Sequence, residues 1–435
     1  MRISKKRIWG YLLLLYNFLE MHFFPQSFYL KKKINIPVMK KISFGFLFLL
    51  MMAAAHAQTS ASKNIMRNLI KENFAFADTQ YRYMMTLTPP DKLPQSYDAK
   101  NDKFIARDIG WWCTGFYPGS LLYIYEQTKD EILKQEAERT LKLIESNKLD
   151  TGTHDLGFMM FCSFGNAYRL FKDEKYKDVI FRSAQSLATR YRPSIKSIQS
   201  WNSNKYFKCP VIIDNMMNLE LLDWVTDNGG DKKYKQIAIS HSNTTIKDHY
   251  RPDYSSFHVV DYNLQTGGVI RKATWQGAAD CSSWSRGQSW GLYGFTMMYR
   301  YTKDKKYLEL AKHIANFILN NPNLPEDKIP FWDYDAPQIP YTQRDASAAA
   351  IMASALLELG QYTNGSEKQK FISNAETILQ SLASDKYRAK AKENGGFIIM
   401  HCTGAKPENS EVDVPLIYAD YYFLEALKRY KDWYL

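Results

Sequence analysis

Carboxylates, an imidazole and a guanidinium stand in this chain where apolar stretches begin: His154-Asp155, Asp214-Asn215, Arg286-Gly287-Gln288, Arg344-Asp345 and Asp413. Trp111-Trp112 and Trp290 occupy comparable positions. Brought to one pocket, these types would supply carboxylates for acid–base work, a cation for an anionic group, and indole faces for sugar rings. Each residue also has a plainer use. Asp is among the best helix N-caps, so any one of Asp155, Asp214, Asp345 or Asp413 alone is as well a cap as a catalyst. His154 alone reads as a satisfied histidine, and Trp112, Trp201 and Trp290 as core. Arg286 is harder to place so simply. It enters an otherwise apolar helix, and a buried guanidinium needs an anionic partner from the protein or a substrate.

Other chemistries find little support. His154, His258 and His401 are widely separated and no H-x-x-x-H occurs, so no metal site is expected. No G-x-S-x-G, phosphate-binding loop or dinucleotide fingerprint stands in a strand–helix setting. Cys281 has no neighbouring base to make it a nucleophile. The five cysteines (Cys113, Cys162, Cys209, Cys281, Cys402) form no C-x-x-C pair, and their odd number excludes complete pairing within the chain.

A repeat must position the candidates. Lys172-Asp173-Glu174-Lys175-Tyr176, Gly230-Asp231-Lys232-Lys233-Tyr234 and Lys303-Asp304-Lys305-Lys306-Tyr307 superimpose. Each opens an amphipathic helical pattern such as Leu310, Ile314, Phe317, Ile318. Apolar segments alternate with these, starting near Thr114, Asp155, Asp214, Ser285, Asp345 and Asp413. An unpaired amphipathic segment, 62–85, stands at one end and an unpaired apolar one, through Tyr421, Leu424 and Leu427, at the other. Closing the array would pair them. The expected fold is all-α, an (α/α)6 barrel of six inner apolar and six outer amphipathic helices. Long connections, Pro193–Pro210, Arg251–Trp284, Asn320–Arg344 and Ser384–Val412, all lead into inner-helix N-termini. One mouth of the barrel therefore gathers both loops and candidates.

Composition agrees with a folded domain: the 435 residues are 45% hydrophobic and 23% charged, outside the disordered and collagen-like classes. The formal charge of +12 suggests nucleic acid until it is located. Nine of the 57 Lys and Arg and one of the 45 Asp and Glu precede Gln58, leaving +4 on residues 58–435. Nucleic-acid binding thereby loses its support. Met39-Lys40-Lys41, an apolar run from Ile42 and Ala55-His56-Ala57 read as a secretory signal peptide, 39–57, cut before Gln58. Residues 1–38 read as an upstream extension before the true start at Met39. Residues 58–435 are then one domain, secreted to the periplasm, with no stable membrane anchor.

Four separated segments carry a family resemblance: Thr153-His154-Asp155-Leu156-Gly157-Phe158, Ile213-Asp214-Asn215-Met216-Met217-Asn218-Leu219, Trp284-Ser285-Arg286-Gly287-Gln288-Ser289-Trp290-Gly291-Leu292-Tyr293-Gly294 and Asp420-Tyr421-Tyr422-Phe423-Leu424-Glu425-Ala426-Leu427. They resemble, in order, signature segments of the unsaturated glucuronyl hydrolases, glycoside hydrolase family 88, and the likeness runs from about Trp112 to the C-terminus. It implies the same barrel and a cofactor-independent hydrolase. The implied substrates are lyase-generated oligosaccharides, glycosaminoglycan disaccharides among them, from which a 4,5-unsaturated uronic acid is removed by hydration of its double bond. By the family pattern, Asp214 is general acid and base and Asp155 its partner carboxylate, whose charge repulsion would hold the proton on Asp214. Trp112 and Trp290 would pack on the sugar, and His258, Gln276 and Arg286 would bind hydroxyls or the uronate carboxylate. Trp201 and His154 would complete the pocket.

Two departures from the family pattern bear on leaving-group and sulfation preference: Thr274-Trp275-Gln276-Gly277, with Trp in place of His, and the apolar Val414-Pro415-Leu416-Ile417-Tyr418-Ala419. An unsaturated rhamnogalacturonyl hydrolase acting on pectin fragments is the nearest alternative; the His154-to-Phe158 segment favours the glucuronyl type. A non-catalytic carbohydrate-binding barrel would keep the tryptophans but would not need both Asp155 and Asp214.

Overall fold

The computed structural model describes residues 63–435; the expected upstream extension and signal peptide lie outside the described residues. Among the described residues, twelve helices alternate between two kinds. α1 (residues 63–87), α3 (Glu131–Ile144), α5 (Glu174–Ala188), α7 (Lys233–His249), α9 (Lys305–Leu319) and α11 (Gly365–Leu382) each bury a stripe. On α9 the stripe is Tyr307, Leu310, Ala311, Ile314, Ala315 and Ile318, the spacing of one helical face. α2 (Phe116–Thr128), α6 (Leu219–Asp227), α8 (Ser285–Thr302), α10 (Ala346–Gln361) and α12 (Ile417–Tyr434) are enclosed more completely, and α4 (Asn166–Phe171) continues a segment buried from Leu156 to Met160. α10 is buried without a break from Ala346 to Gly360, and α8 from Ser285 to Met298.

Helices apolar all round need neighbours on every side, which a closed double ring supplies. The inner helices touch in chain order, and α12 returns to α2, so the fold is the expected (α/α)6 barrel. Tyr81 of α1 seals the junction: it stacks on Tyr117 of α2, with 5.8 Å between ring centroids, and donates to the Asp420 carboxylate of α12 (3.3 Å).

The Lys-Asp dipeptide of two of the repeats, present also at Lys129-Asp130, proves to be the inner-to-outer turn. Lys129, Lys172 and Lys303 take the left-handed conformation (φ 62°, 55° and 58°) that ends an inner helix. The next residues, Asp130, Asp173 and Asp304, cap the outer helix by accepting from the N–H of Ile132, Lys175 and Lys306. These short turns close one end of the barrel.

The opposite, outer-to-inner connections are long and hold every named strand among the described residues. β1 (Leu93–Asp98) pairs with β2 (Lys103–Arg107), β3 (Tyr191–Arg192) with β4 (Ser197–Ile198), and β8 (Cys402–Ala405) with β9 (Ser410–Val414), all antiparallel. β5 (Pro210–Ile212), β6 (Val259–Tyr262) and β7 (Val269–Ala273) form a three-stranded antiparallel sheet. It ties the loop before α6 to the loop before α8.

Two inner helices begin irregularly: Gly157–Gly165 is π-helical before α4, and Ile213–Asn218 is a 3-10 helix before α6. The sixth inner helix starts at Ile417, later than expected near Asp413. Asp413 lies in β9 with φ 58°, and Pro415 follows, unable to donate a backbone hydrogen bond. No described helix is long and apolar enough to cross a membrane.

Gly157 marks where the π-helical and 3-10 segments meet. A Cβ there would lie 2.4 Å from the Asn218 Cα, while the neighbouring Phe158 N–H donates to Asn218 Oδ1 (2.9 Å). Backbone cannot yield as a flexible side chain does, so Gly157→Ala should destabilise the fold by about 1–3 kcal/mol in urea denaturation. Wild-type stability would mean that the two segments are not held in fixed contact.

Candidate active site

Asp155 precedes the π-helical segment and Asp214 lies in the first turn of the 3-10 segment. Neither side chain caps its helix; of the four Asp that could have been caps, only Asp345 does so, accepting from the Ser347 N–H (3.1 Å). Asp155 Oδ2 accepts from the Thr153 hydroxyl (2.8 Å), and Oδ1 lies 3.3 Å from His154 Nε2. Asp214 Oδ2 is buried with no hydrogen-bond partner, and His258 Nε2 stands 3.8 Å away.

Burial is the main reason that the Asp214 carboxyl is pushed up to about 7; the Arg286 charge opposes the shift, and the Asp155 charge adds to it. Repulsion by Asp155, expected as the principal cause, thus ranks behind desolvation. The pair is the kind of arrangement in which one carboxylic acid keeps its proton near neutral pH while a second group works beside it.

The backbone around it settles the tautomer of His258. Its Nδ1 accepts the N–H groups of Trp275 (3.1 Å) and Gln276 (3.2 Å), so the ring proton sits on Nε2, on the side of Asp214. Burial, with help from Arg286, drives this imidazole down to about 3, so it stays neutral. His154 is also lowered, chiefly by burial, against the pull of Asp155.

Two residues expected on the sugar are engaged by protein in the structure. Arg286, expected on a substrate hydroxyl or carboxylate, is bonded to protein: Nη1 donates to Asp345 Oδ2 (2.9 Å) and the Thr403 carbonyl (2.6 Å), Nη2 to the Gly404 carbonyl (2.7 Å) and Gln276 Oε1 (3.0 Å). Its side chain is 2% exposed and that of Asp345 fully buried. A charge so deep needs a permanent counter-ion, and Asp345 provides it. Trp290, expected to pack on the sugar, is fully buried between Phe158 and Tyr422, with centroid distances of 5.1 and 5.4 Å. Its indole N–H has no hydrogen-bond partner in the structure, and it favours the ionised form of Asp214.

Trp112 and Trp201 are half-buried. Trp112 rests on Phe116, Phe158 and Tyr418, and Trp201 on Phe207, which also carries Trp275. Gln276 is half-buried, its carbonyl oxygen fixed by Arg286. Asp413 lies apart, paired with His401 (2.6 Å) on the β8–β9 hairpin, and Arg344 is held by Asp327 (3.1 Å).

Thr153 and Glu411 escaped the reading of the sequence. Glu411 of β9 is a half-buried carboxyl pushed up by desolvation, against the charges of Arg286 and Arg107, and it accepts from Gln95. Among the described residues no group of three or more His, Cys, Asp or Glu gathers where it could hold a metal ion, and all five cysteines are free thiols.

The description Glycosyl Hydrolase Family 88 belongs to the family model that matches residues 89–434. The chain belongs to this family. An unsaturated glucuronyl hydrolase of Formosa agariphila is 49% identical over 320 residues, 73% of this chain and 79% of that protein. One from Bacillus sp. GL1 is 35% identical, over 78% of this chain and 91% of its own length. Among solved structures, an unsaturated glucuronyl hydrolase described as specific for heparin superimposes with a TM-score of 0.81 at 44% identity, covering 84% of this chain and 97% of that one. A Streptococcus agalactiae unsaturated glucuronyl hydrolase variant, solved with dGlcA-GalNAc6S, gives a TM-score of 0.72 at 30% identity, covering 84% and 92%.

For this family 88 enzyme, Arg286→Met should cost about 3–5 kcal/mol of folding stability in denaturant titration, since it leaves Asp345 buried and unpaired. A variant of wild-type stability with only a raised KM would instead return Arg286 to the role of a substrate contact.

Proposed function

We propose that this enzyme removes the 4,5-unsaturated uronic acid from the non-reducing end of lyase-generated, glycosaminoglycan-type disaccharides. The observation that carries the reading is Asp214: a carboxyl pushed up to about 7, its side chain 14% exposed, with a buried, unpartnered Oδ2 and Asp155 as its charged neighbour. The names of the relatives support the same substrate class over pectin fragments. The relatives are named as hydrolases, which favours an enzyme over a binding barrel.

In the proposed mechanism, protonated Asp214 delivers its proton to C4 of the double bond, and positive charge develops at C5 and the ring oxygen. Water adds to C5 and gives its proton to the Asp214 carboxylate, which the first step has made a base. The resulting C5 hemiketal opens to a ketone, leaving a hydroxyl at C1. That hemiacetal collapses to an aldehyde and releases the leaving sugar as an alcohol. His258, neutral and with its N–H on the side of Asp214 at 3.8 Å, does not compete for the proton. Half-buried Trp112 and Trp201 offer indole surface for the sugars.

Hydration removes the conjugated double bond, so the substrate's ultraviolet absorbance should fall with wild type. Asp214→Asn, which cannot transfer the proton, should lose at least about 10²-fold in kcat. Full activity in that variant would overturn the mechanism; activity confined to rhamnogalacturonan fragments would move the substrate.

Because Asp214 must begin protonated, kcat/KM should decline as pH rises through about 7. Asp155→Asn removes a charge that raises the Asp214 value, so its alkaline limb should lie at lower pH than in wild type. A limb that stays in place would take Asp155 out of the electrostatics of the acid.

We propose further that the enzyme is exported. The support is the Met39-to-Ala57 pattern of basic residues, an apolar run and an A-x-A site. N-terminal sequencing of protein from the periplasm should begin at Gln58; an intact N-terminus on cytoplasmic protein would contradict this.

A further inference from the structure

Asp345 stands at the N-terminus of α10, buried and divided between two tasks. Its Oδ1 caps the helix, accepting from the N–H (3.1 Å) and hydroxyl (2.5 Å) of Ser347, while Oδ2 takes the Arg286 guanidinium at 2.9 Å. From there a chain of contacts runs to the catalytic acid. Arg286 Nη2 holds Gln276 Oε1 (3.0 Å); the Gln276 backbone N–H, with that of Trp275, holds His258 Nδ1; and His258 Nε2 stands 3.8 Å from Asp214 Oδ2. A cap alone would need neither the guanidinium nor full burial, and Asn or Ser caps about as well as Asp.

We infer that Asp345 is a positioning residue for Asp214: it fixes Arg286, and through Gln276 the tautomer and direction of His258, and it balances the guanidinium charge beside the acid. This rests on Asp214 being the general acid proposed above.

The charged and titratable groups around Asp214 come from several elements. Asp155 and His154 precede the π-helical segment, His258 precedes β6, Arg286 lies on α8, and Glu411 on β9 feels the same guanidinium. Arg286 already pulls the Asp214 value down against burial. With Asp345 neutral, that pull is no longer offset, and Asp214 should surrender its proton at lower pH.

The test uses Asp345→Asn and Asp345→Ser, both neutral residues that cap helices well, in the full enzyme on a lyase-generated disaccharide. Both should move the alkaline limb of kcat/KM to lower pH by about half a unit or more, and lower kcat more than they raise KM. Urea denaturation on the same samples, with a comparison to Ser347→Ala, which removes a cap partner but no charge, separates folding from positioning. Ser347→Ala should keep the wild-type limb.

A limb that stays in place in whichever variant folds, with activity lost only in proportion to folded protein, would reduce Asp345 to a cap and overturn the inference. Should both neutral variants fail to fold, movement of the limb in Ser347→Ala would overturn it, and an unmoved limb would support it. Asp214→Asn keeps the two readings apart: full activity there defeats the general acid itself, whereas an inactive Asp214→Asn beside an unmoved Asp345→Asn limb defeats only the positioning role.

Discussion

A guanidinium buried inside an apolar barrel is the constraint on which the mouth of this enzyme depends. Taking such a charge out of water costs several kcal/mol unless a counter-ion and hydrogen bonds replace the solvent. Arg286 finds them on three separate pieces of chain: Asp345 at the head of α10, the Thr403 and Gly404 carbonyls of β8, and Gln276 after β7. Three long connections that could each have moved independently are thereby tied to one group. Its flat cation also lies over the rings of Trp284 (4.5 Å) and Tyr418 (5.4 Å), which fill the space around it with aromatic surface.

The same charge explains why Asp214 sits near neutrality and no higher. Burial alone would drive a carboxyl with no hydrogen bond at Oδ2 far up; Arg286 and the indole N–H of Trp290 pull it back, and Asp155 pushes it up again. The working value is a balance of opposed influences, each set by a rigid element. That balance is steadier than one resting on a loop, because the inner helix that carries both Arg286 and Trp290, α8, is packed on all sides.

Much of this was legible in the sequence because it is local. Apolar segments buried all round, amphipathic ones with a single stripe, and the Lys-Asp turn repeat by rules that operate within a few residues, and together they dictate a closed double ring. Asp155 and Asp214 could be placed at the mouth for the same reason. The partner of Arg286 could not. Asp345 lies 59 residues away, and Thr403 and Gly404 lie 117 and 118 away, with no spacing to betray them. Nor does anything in Trp290 distinguish an indole open to sugar from one sealed by Phe158 and Tyr422; both are aromatic residues on an apolar helix. The π-helical and 3-10 openings of two inner helices were equally hidden, since they answer to the close approach at Gly157 rather than to periodicity.

Buried charge by itself does not make a site, as the other end of the barrel demonstrates. Toward the C-terminal ends of the inner helices lies a cavity of about 420 Å³, ringed by Glu220, Arg300, Glu425 and Arg429. Arg300 binds Glu220 (2.6 Å) and Glu358 (2.7 Å), and Arg429 binds Glu358 (3.0 Å), while Glu425 accepts from Tyr123, Tyr293 and Ser354. No residue lining that cavity keeps a buried side-chain polar atom without a partner, so its charges are already answered by one another. At the mouth the opposite holds: Asp214 Oδ2, His258 Nε2, His154 Nδ1 and Trp290 Nε1 are buried and unpartnered around one carboxylate pair. Leaving such atoms unsatisfied is costly to folding. A substrate rich in hydroxyls and carrying a carboxylate is the chemistry that can repay Asp214 and His258, and their unmet hydrogen bonds beside Asp155 and the half-buried Trp112 and Trp201 set the mouth apart from a cavity whose lining charges answer one another.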